Sequence, residues 1–411
     1  MKLRNSEIIN WFSTAQRDKQ RNFRGFNVFR TIARVDGARR RELQTRANFE
    51  TLPTMNSATD PVAGSQAEFY QAHLDRVSRS FAFCIARLEG ALRVRVGLSY
   101  LLCRMLDTIE DAEWPHFELQ EQAFARFDRF VARSADSGEV DAWIASFPTG
   151  LPEGETLLLL DAGRVFADFH ALPTELRESL GRSILSMSAG MRHYMGQKAR
   201  HGRLVLESAA DVNRYCFFVA GVVGEMLTRF MAREVQPSLA RLRDGFRFGL
   251  FLQKVNILKD QSGDEAVGRY LVPSRSLVLS GLLRDADGAF RYLLSLPEKD
   301  VGFRLFCAWS LFLGLASLPF IQGLHGEKLK IPREDTLSLL CEVESRIHDD
   351  AALQTLFDEL RPSGEALADG LETREMAPMA MADATEQSLL ALYQGDLPAT
   401  DVLALFSARE I

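Results

Sequence analysis

With 411 residues, 46% of them hydrophobic, the chain can bury a large core, and one big helical domain suits that length. A net charge of −6 gives no general reason to expect nucleic acid as a partner. The cysteines (Cys84, Cys103, Cys216, Cys307, Cys341) stand singly, without a CxxC pair. That argues against a zinc site or a disulfide framework and sets a reducing cytoplasm as the expected compartment.

The opening "MKLRNSEIINWF" has charges but no uninterrupted apolar stretch behind them, so it does not read as a signal peptide. Residues 1–50 carry twelve Lys/Arg against five Asp/Glu, a net of +7 that leaves −13 for the rest. Phe23, Phe26 and Phe29 interleave with those arginines. Two readings stay open: an arm in peripheral contact with an anionic membrane surface, or a solvated extension packed on the domain. Thr51 to Ser65, "TLPTMNSATDPVAGS", is a linker by composition.

Beyond it the pattern turns helical. Ser65 and Glu68 have capping-box spacing before a periodic run to Arg87. The periodicity predicts further helices over 90–112, 117–133, 154–170, 174–200, 208–233, 236–265, 275–295, 300–322 and 334–360. Strand-like alternation is nearly absent and no fixed-period repeat is visible. The expected fold class is all-α: one domain over 65–360, a basic extension and linker over 1–64, and an acidic linker with a short terminal helix over 361–411. The longest uncharged run, Leu305 to Ile321, reads as a buried helix rather than a membrane span. The end "DLPATDVLALFSAREI" is too short and polar to anchor the chain.

Chemistry concentrates in a few stretches. In "LLCRMLDTIED", helical spacing puts Asp107, Glu110 and Asp111 together, with Arg104 a turn earlier. Like charges so close repel unless something positive joins them, although the cluster alone fits the wet side of an amphipathic helix. "GLFLQKVNILKDQSGD" sets Gln253, Asn256, Asp260 and Asp264 along one polar stripe. Two carboxylate stripes facing each other would suit a hard divalent cation such as Mg²⁺, which takes oxygen ligands and bridges carboxylates to diphosphate. "RYCFFVAGVVGEML" offers Tyr215, Phe217, Phe218, Gly221 and Gly224, the glycines fitting tight helix packing as readily as a close ligand. "SRSFAF" offers Ser78, Arg79 and Ser80 as phosphate contacts and Phe81 as a wall, though Phe81 fits an ordinary core equally well.

These four stretches, in this order and at this spacing, resemble the squalene/phytoene synthase family over roughly Phe69 to Arg333. "GLFLQK" and "YCFFVAG" are more similar to its squalene synthases than to its phytoene synthases. The resemblance implies an all-helical isoprenoid-synthase bundle around a central cavity. It implies head-to-head condensation of two farnesyl diphosphates through presqualene diphosphate to squalene, with reduction by NADPH. By position, Asp107, Glu110, Asp111, Asp260 and Asp264 would hold Mg²⁺. Arg79, Arg104 and Arg269 would hold diphosphate, with Ser78 and Ser80 nearby. Tyr215 matches the tyrosine that assists proton loss. Phe81, Phe218, Gln253 and Asn256 would line the substrate chamber, and Lys330 and Arg333 in "LKIPRED" would face the nicotinamide cofactor.

The chain departs from the family pattern in places. "DQSGD" has Gly263 where the pattern DxxED has glutamate, and Lys259 stands where many squalene synthases have arginine. Pro332 replaces the residue that usually follows the isoleucine. An alternative outcome therefore stays open: a dehydrosqualene, phytoene-type or hydroxylated product, or prenyl transfer to another acceptor. A non-catalytic isoprenoid-binding protein is a further reading, opposed by the retention of both acidic motifs together with Arg104 and Tyr215.

Overall fold

The computed structural model describes residues 61–231, 237–321 and 331–361. The basic extension before residue 61, the acidic tail after 361 and Lys330 lie outside the described residues. The chain runs through α1 (Pro61–Val77), α2 (Arg79–Ile85), α3 (Gly90–Asp111), α4 (Phe117–Ala132), α5 (Ser137–Ile144), α6 (Glu153–Leu160) and α7 (Ala162–His170). Then come α8 (Thr174–His201), β1 (Leu204–Val205), α9 (Ala209–Cys216), a π turn (Phe217–Gly221), α10 (Val222–Met231), α11 (Leu239–Lys259) and α12 (Gln261–Ala266). After β2 (Arg269–Tyr270) follow α13 (Arg275–Leu294), α14 (Val301–Ile321), α15 (Arg333–Arg346) and α16 (Asp350–Leu360). The fold class is all-α, as expected.

Several predicted helices are subdivided. The first begins at Pro61, where a proline at the opening position sacrifices no hydrogen bond, so Ser65 lies inside the helix and is not its cap. The run to Arg87 breaks at Ser78, whose extended backbone (φ −163°, ψ 92°) caps α2. The run 154–170 breaks at Asp161, and the run 236–265 breaks at Asp260. The short α5 escaped the periodicity altogether, although Asp136 and Glu139 form a reciprocal capping box at its start. The two short strands pair in parallel, Leu204 with Arg269 and Val205 with Tyr270.

α3, α8, α10, α11, α14 and α2 each pack on the next, and α2 returns to α3, closing a ring. The glycines of "AGVVG" serve the packing reading. A Cβ on Gly224 would stand 1.8 Å from the Gly245 carbonyl, so α10 and α11 touch backbone to backbone. The apolar run Leu305–Ile321 belongs to α14, which is long and apolar enough to cross a membrane by length and composition, yet 89% of its most apolar window is buried inside the protein. Each large side chain it hides contributes about 1.5–3 kcal/mol. α14 also buries a charge. Arg304, fully enclosed, donates to the carbonyls of Leu296 and Ile347 and pairs with Asp350 at 2.5 Å.

Candidate active site

α3 carries Tyr100, Arg104, Asp107 and Asp111 at steps that keep them on one face. That face is not a solvated one: Asp107 is only 7% exposed, and Leu101, Leu102, Met105, Leu106 and Ile109 on the other side are wholly enclosed. Burial pushes the Asp107 carboxyl well above the usual carboxylate range; Arg104 opposes this, while Asp111 and Glu110 reinforce it. Asp111 rises to about 7, from burial first and then the charge of Glu110. The acidic end of α3 is clamped from outside. Gln120 Nε2 donates to the carbonyls of Ile109 (3.0 Å) and Glu110 (2.9 Å), and Trp114 Nε1 donates to Ile109 (2.8 Å). These donors satisfy carbonyls that a helix end leaves without partners.

The second acidic stretch is bent. Gln253 and Asn256 sit on the last turns of α11, both buried, and among the described residues Gln253 Oε1 and Asn256 Oδ1 have no hydrogen-bond partner. Asp260 occupies the break, where its own carbonyl starts the next helix by accepting from the Asp264 amide at 3.0 Å. The four polar residues therefore do not form one straight stripe. The kink carries Asp264 round to β2, and Lys259 Nζ stands 3.5 Å from Asp260.

Arg269, at the first position of β2, joins the two acidic stretches. Its Nη1 lies 3.4 Å from Glu110 on α3, its Nε 3.8 Å from Asp264 on α12, and its Nη2 donates to the Tyr215 hydroxyl at 2.5 Å. One guanidinium thus touches both acid-bearing segments and the tyrosine. Burial holds the Tyr215 phenol well above its ordinary range, against the pull of Arg269, so it stays protonated at neutral pH. Its ring meets Tyr194 edge-on, centroids 5.0 Å apart.

Other expected site residues are placed as follows. Ser78 is buried and interacts with the Tyr100 phenol, one turn before Arg104. Phe81 lies 5.8 Å from Tyr100 and 6.2 Å from Phe306, ring to ring. Phe218 is enclosed in the π turn against Phe217. Arg79 and Ser80 open α2, but their side chains are outside the described part. Arg333 is exposed at the first position of α15, and among the described residues no hydrogen bond or ion pair joins it to the acidic cluster.

Among the described residues no three acidic, histidine or cysteine side chains converge closely enough to cage an ion alone. That suits Mg²⁺, which keeps several waters and completes its shell with a ligand's phosphates. Asp107 and Asp111, whose carboxyls burial and neighbouring acids push upward, join Glu110, Asp260 and Asp264 in an oxygen-only donor set of five carboxyl groups. The residues fit a hard divalent cation.

Residues 74–290 match the family model described as squalene/phytoene synthase, just over half of the chain. The chain belongs to the squalene/phytoene synthase family. The squalene synthase of Eremothecium gossypii is 33% identical over 205 residues, 49% of this chain and 44% of that protein. That of Saccharomyces cerevisiae is 32% identical over 303 residues, 65% of each. The chain therefore spans less than two thirds of either relative. A solved complex of TcSQS with the ligand BPH1237 superposes with a TM-score of 0.58 at 22% identity, covering 79% of this chain and 96% of that one, and shows the shared fold.

Against this family's motifs, two residues of the site went unread in the sequence. Glu155, on α6, pairs with Arg104 Nη2 at 2.6 Å. Lys198, on α8, is half-buried; burial and Arg269 depress its ammonium, while Glu110, Asp111 and Asp264 pull it back up. Both lie outside the motif stretches, and only the fold brings them to the cluster.

Proposed function

We propose that the chain condenses two farnesyl diphosphates head to head to presqualene diphosphate and reduces that intermediate to squalene with NADPH. The observation that carries the reading is Arg269, whose one guanidinium contacts Glu110, Asp264 and Tyr215 and so gathers both acidic motifs at one point. Asp107, Glu110, Asp111, Asp260 and Asp264 would hold Mg²⁺, with Arg104 and Arg269 beside them for diphosphate. Mg²⁺, when bound, supplies the positive charge that lets diphosphate leave.

The chain's own residues do the rest. Arg269 and Arg104 orient the leaving diphosphate by charge-assisted hydrogen bonds. Tyr215 is a neutral phenol whose oxygen accepts from Arg269. A proton lost from carbon during ring closure is therefore relayed through its hydroxyl to the released diphosphate. Phe81, Phe218 and the enclosed aromatic faces near them keep water from the allylic cation. Of the two residues matched to the nicotinamide cofactor, Lys330 lies outside the described residues and Arg333 is exposed on α15.

The test is incubation of the purified chain with farnesyl diphosphate and Mg²⁺, with and without NADPH, and mass analysis of the extracted lipids. Squalene formed only with NADPH supports both half-reactions. Presqualene or dehydrosqualene products regardless of NADPH would keep the ionisation chemistry and refute the reduction. No consumption of substrate would refute the reading.

A further inference from the structure

We propose that Glu155 is a positioning residue that holds Arg104 off Asp107 and so keeps Asp107 available to a divalent cation. The inference rests on the reading of Asp107 as a metal ligand. Arg104 is nearly fully enclosed and stands between two carboxylates: Glu155 Oε1 at 2.6 Å and Asp107 Oδ2 at 3.9 Å. The first is a full charge-assisted hydrogen bond; the second is an ion pair without one. Arg104 and Asp107 share a face of α3, so a small side-chain rotation would close that gap.

Glu155 is built to win the contest. It is 5% exposed and lies in the first turn of α6, where a helix end favours negative charge. Its place is fixed by its neighbour: a Cβ on Gly154 would stand 2.9 Å from the Arg76 carbonyl, so the start of α6 is wedged against the end of α1. With Glu155 neutral, Arg104 would turn to Asp107, the acid 3.9 Å away on its own face, and occupy oxygens a cation needs. Glu155 need not itself touch substrate or metal to have this effect.

The experiment measures binding of Mn²⁺ alone, as a stand-in for Mg²⁺, to the full-length protein by electron paramagnetic resonance. Glu155→Gln is expected to weaken binding roughly tenfold, the scale on which groups behind a metal ligand act. Turnover should recover at high metal concentration. The decisive arm is Arg104→Gln/Glu155→Gln, which removes the competing guanidinium and should bind Mn²⁺ more tightly than Glu155→Gln alone. Wild-type affinity in Glu155→Gln, or no recovery in the double variant, overturns the proposal. If Glu155→Gln does not fold by circular dichroism, Glu155→Asp replaces it; the shorter arm should weaken binding in part, and unchanged affinity counts against the proposal. Asp107→Asn separates the two levels. If Mn²⁺ binding survives that change, the metal-ligand reading itself fails; if it is lost while Glu155→Gln binds normally, only the positioning role fails.

Discussion

The acidic end of α3 and the acidic break between α11 and α12 face the same guanidinium but are held by different means. The α3 end is a continuous helix whose carboxylates are crowded and whose last carbonyls are gripped by Trp114 and Gln120. The other side is a kink: Asp260 ends one helix and starts a six-residue one, and a Cβ on Gly263 there would meet nothing within 4 Å. A crowded half, gripped at its last carbonyls, thus faces a kinked one with open space at Gly263. The cost of gathering charge falls on α3, where burial and neighbouring acids push the Asp107 and Asp111 carboxyls upward.

The largest blow to this pairing is removal of either half's leading acid. Asp107→Ala and Asp260→Ala should each lower turnover by about 10³-fold, of the order lost when charge stabilisation of a leaving group is removed, with the helical circular-dichroism signal intact. Near-normal activity in both would sink the metal assignment. Next is the link between the halves. Arg269→Lys keeps the charge but cannot fork to Glu110, Asp264 and Tyr215 together, so a loss of about 10²-fold is expected in steady-state assays. A change under twofold would mean that the bridge is incidental.

The overload on α3 should show in pH-dependent melting. Asp111 titrates at about 7 in the folded protein against an ordinary value of 3.8. The folded state then binds more protons than the unfolded one between those values, so this group's contribution to stability falls as pH rises from about 4 to 7. Metal-free protein should lose melting temperature across that window, and Mg²⁺ with inorganic diphosphate should restore more of it at about pH 7.5 than at about pH 5. Equal restoration at both would mean that the carboxylates of α3 are not crowded. The smallest effect concerns the kink. Gly263→Ala has room and a helical backbone, so it should stabilise the protein by up to about 1 kcal/mol in denaturant titrations with little change in turnover. A large loss of activity would show instead that the kink must flex.

The sequence carried the helices and most of the site because both rest on local periodicity. Asp107, Glu110 and Asp111 sit together by helical spacing alone, and the ends of α3, α4 and α13 fall within a residue or two of expectation. Breaks were harder to foresee. Asp161 and Asp260 interrupt helices without a proline or a glycine at the break itself, and the capping spacing of Ser65 and Glu68 was overridden by a start at Pro61. Arg269 was placed by family resemblance, yet its simultaneous hold on Tyr215, Glu110 and Asp264 depends on a two-residue strand pairing across the chain. Glu155 and Lys198 had no local signal at all, since tertiary packing alone gives them their neighbours.

The enclosed Arg304 of α14 has a consequence for the order of synthesis. Of its partners, Leu296 precedes it, but Asp350 follows 46 residues later. At translation rates of about 5–20 residues per second, that charge waits roughly 2–9 seconds for its counterion on a segment with the composition of a membrane span. Ribosome-bound chains halted before Asp350 should therefore partition onto lipid vesicles more than released full-length chains do. Closing α16 over α14 thus brings Asp350 to the charge at the start of the most apolar helix among the described residues.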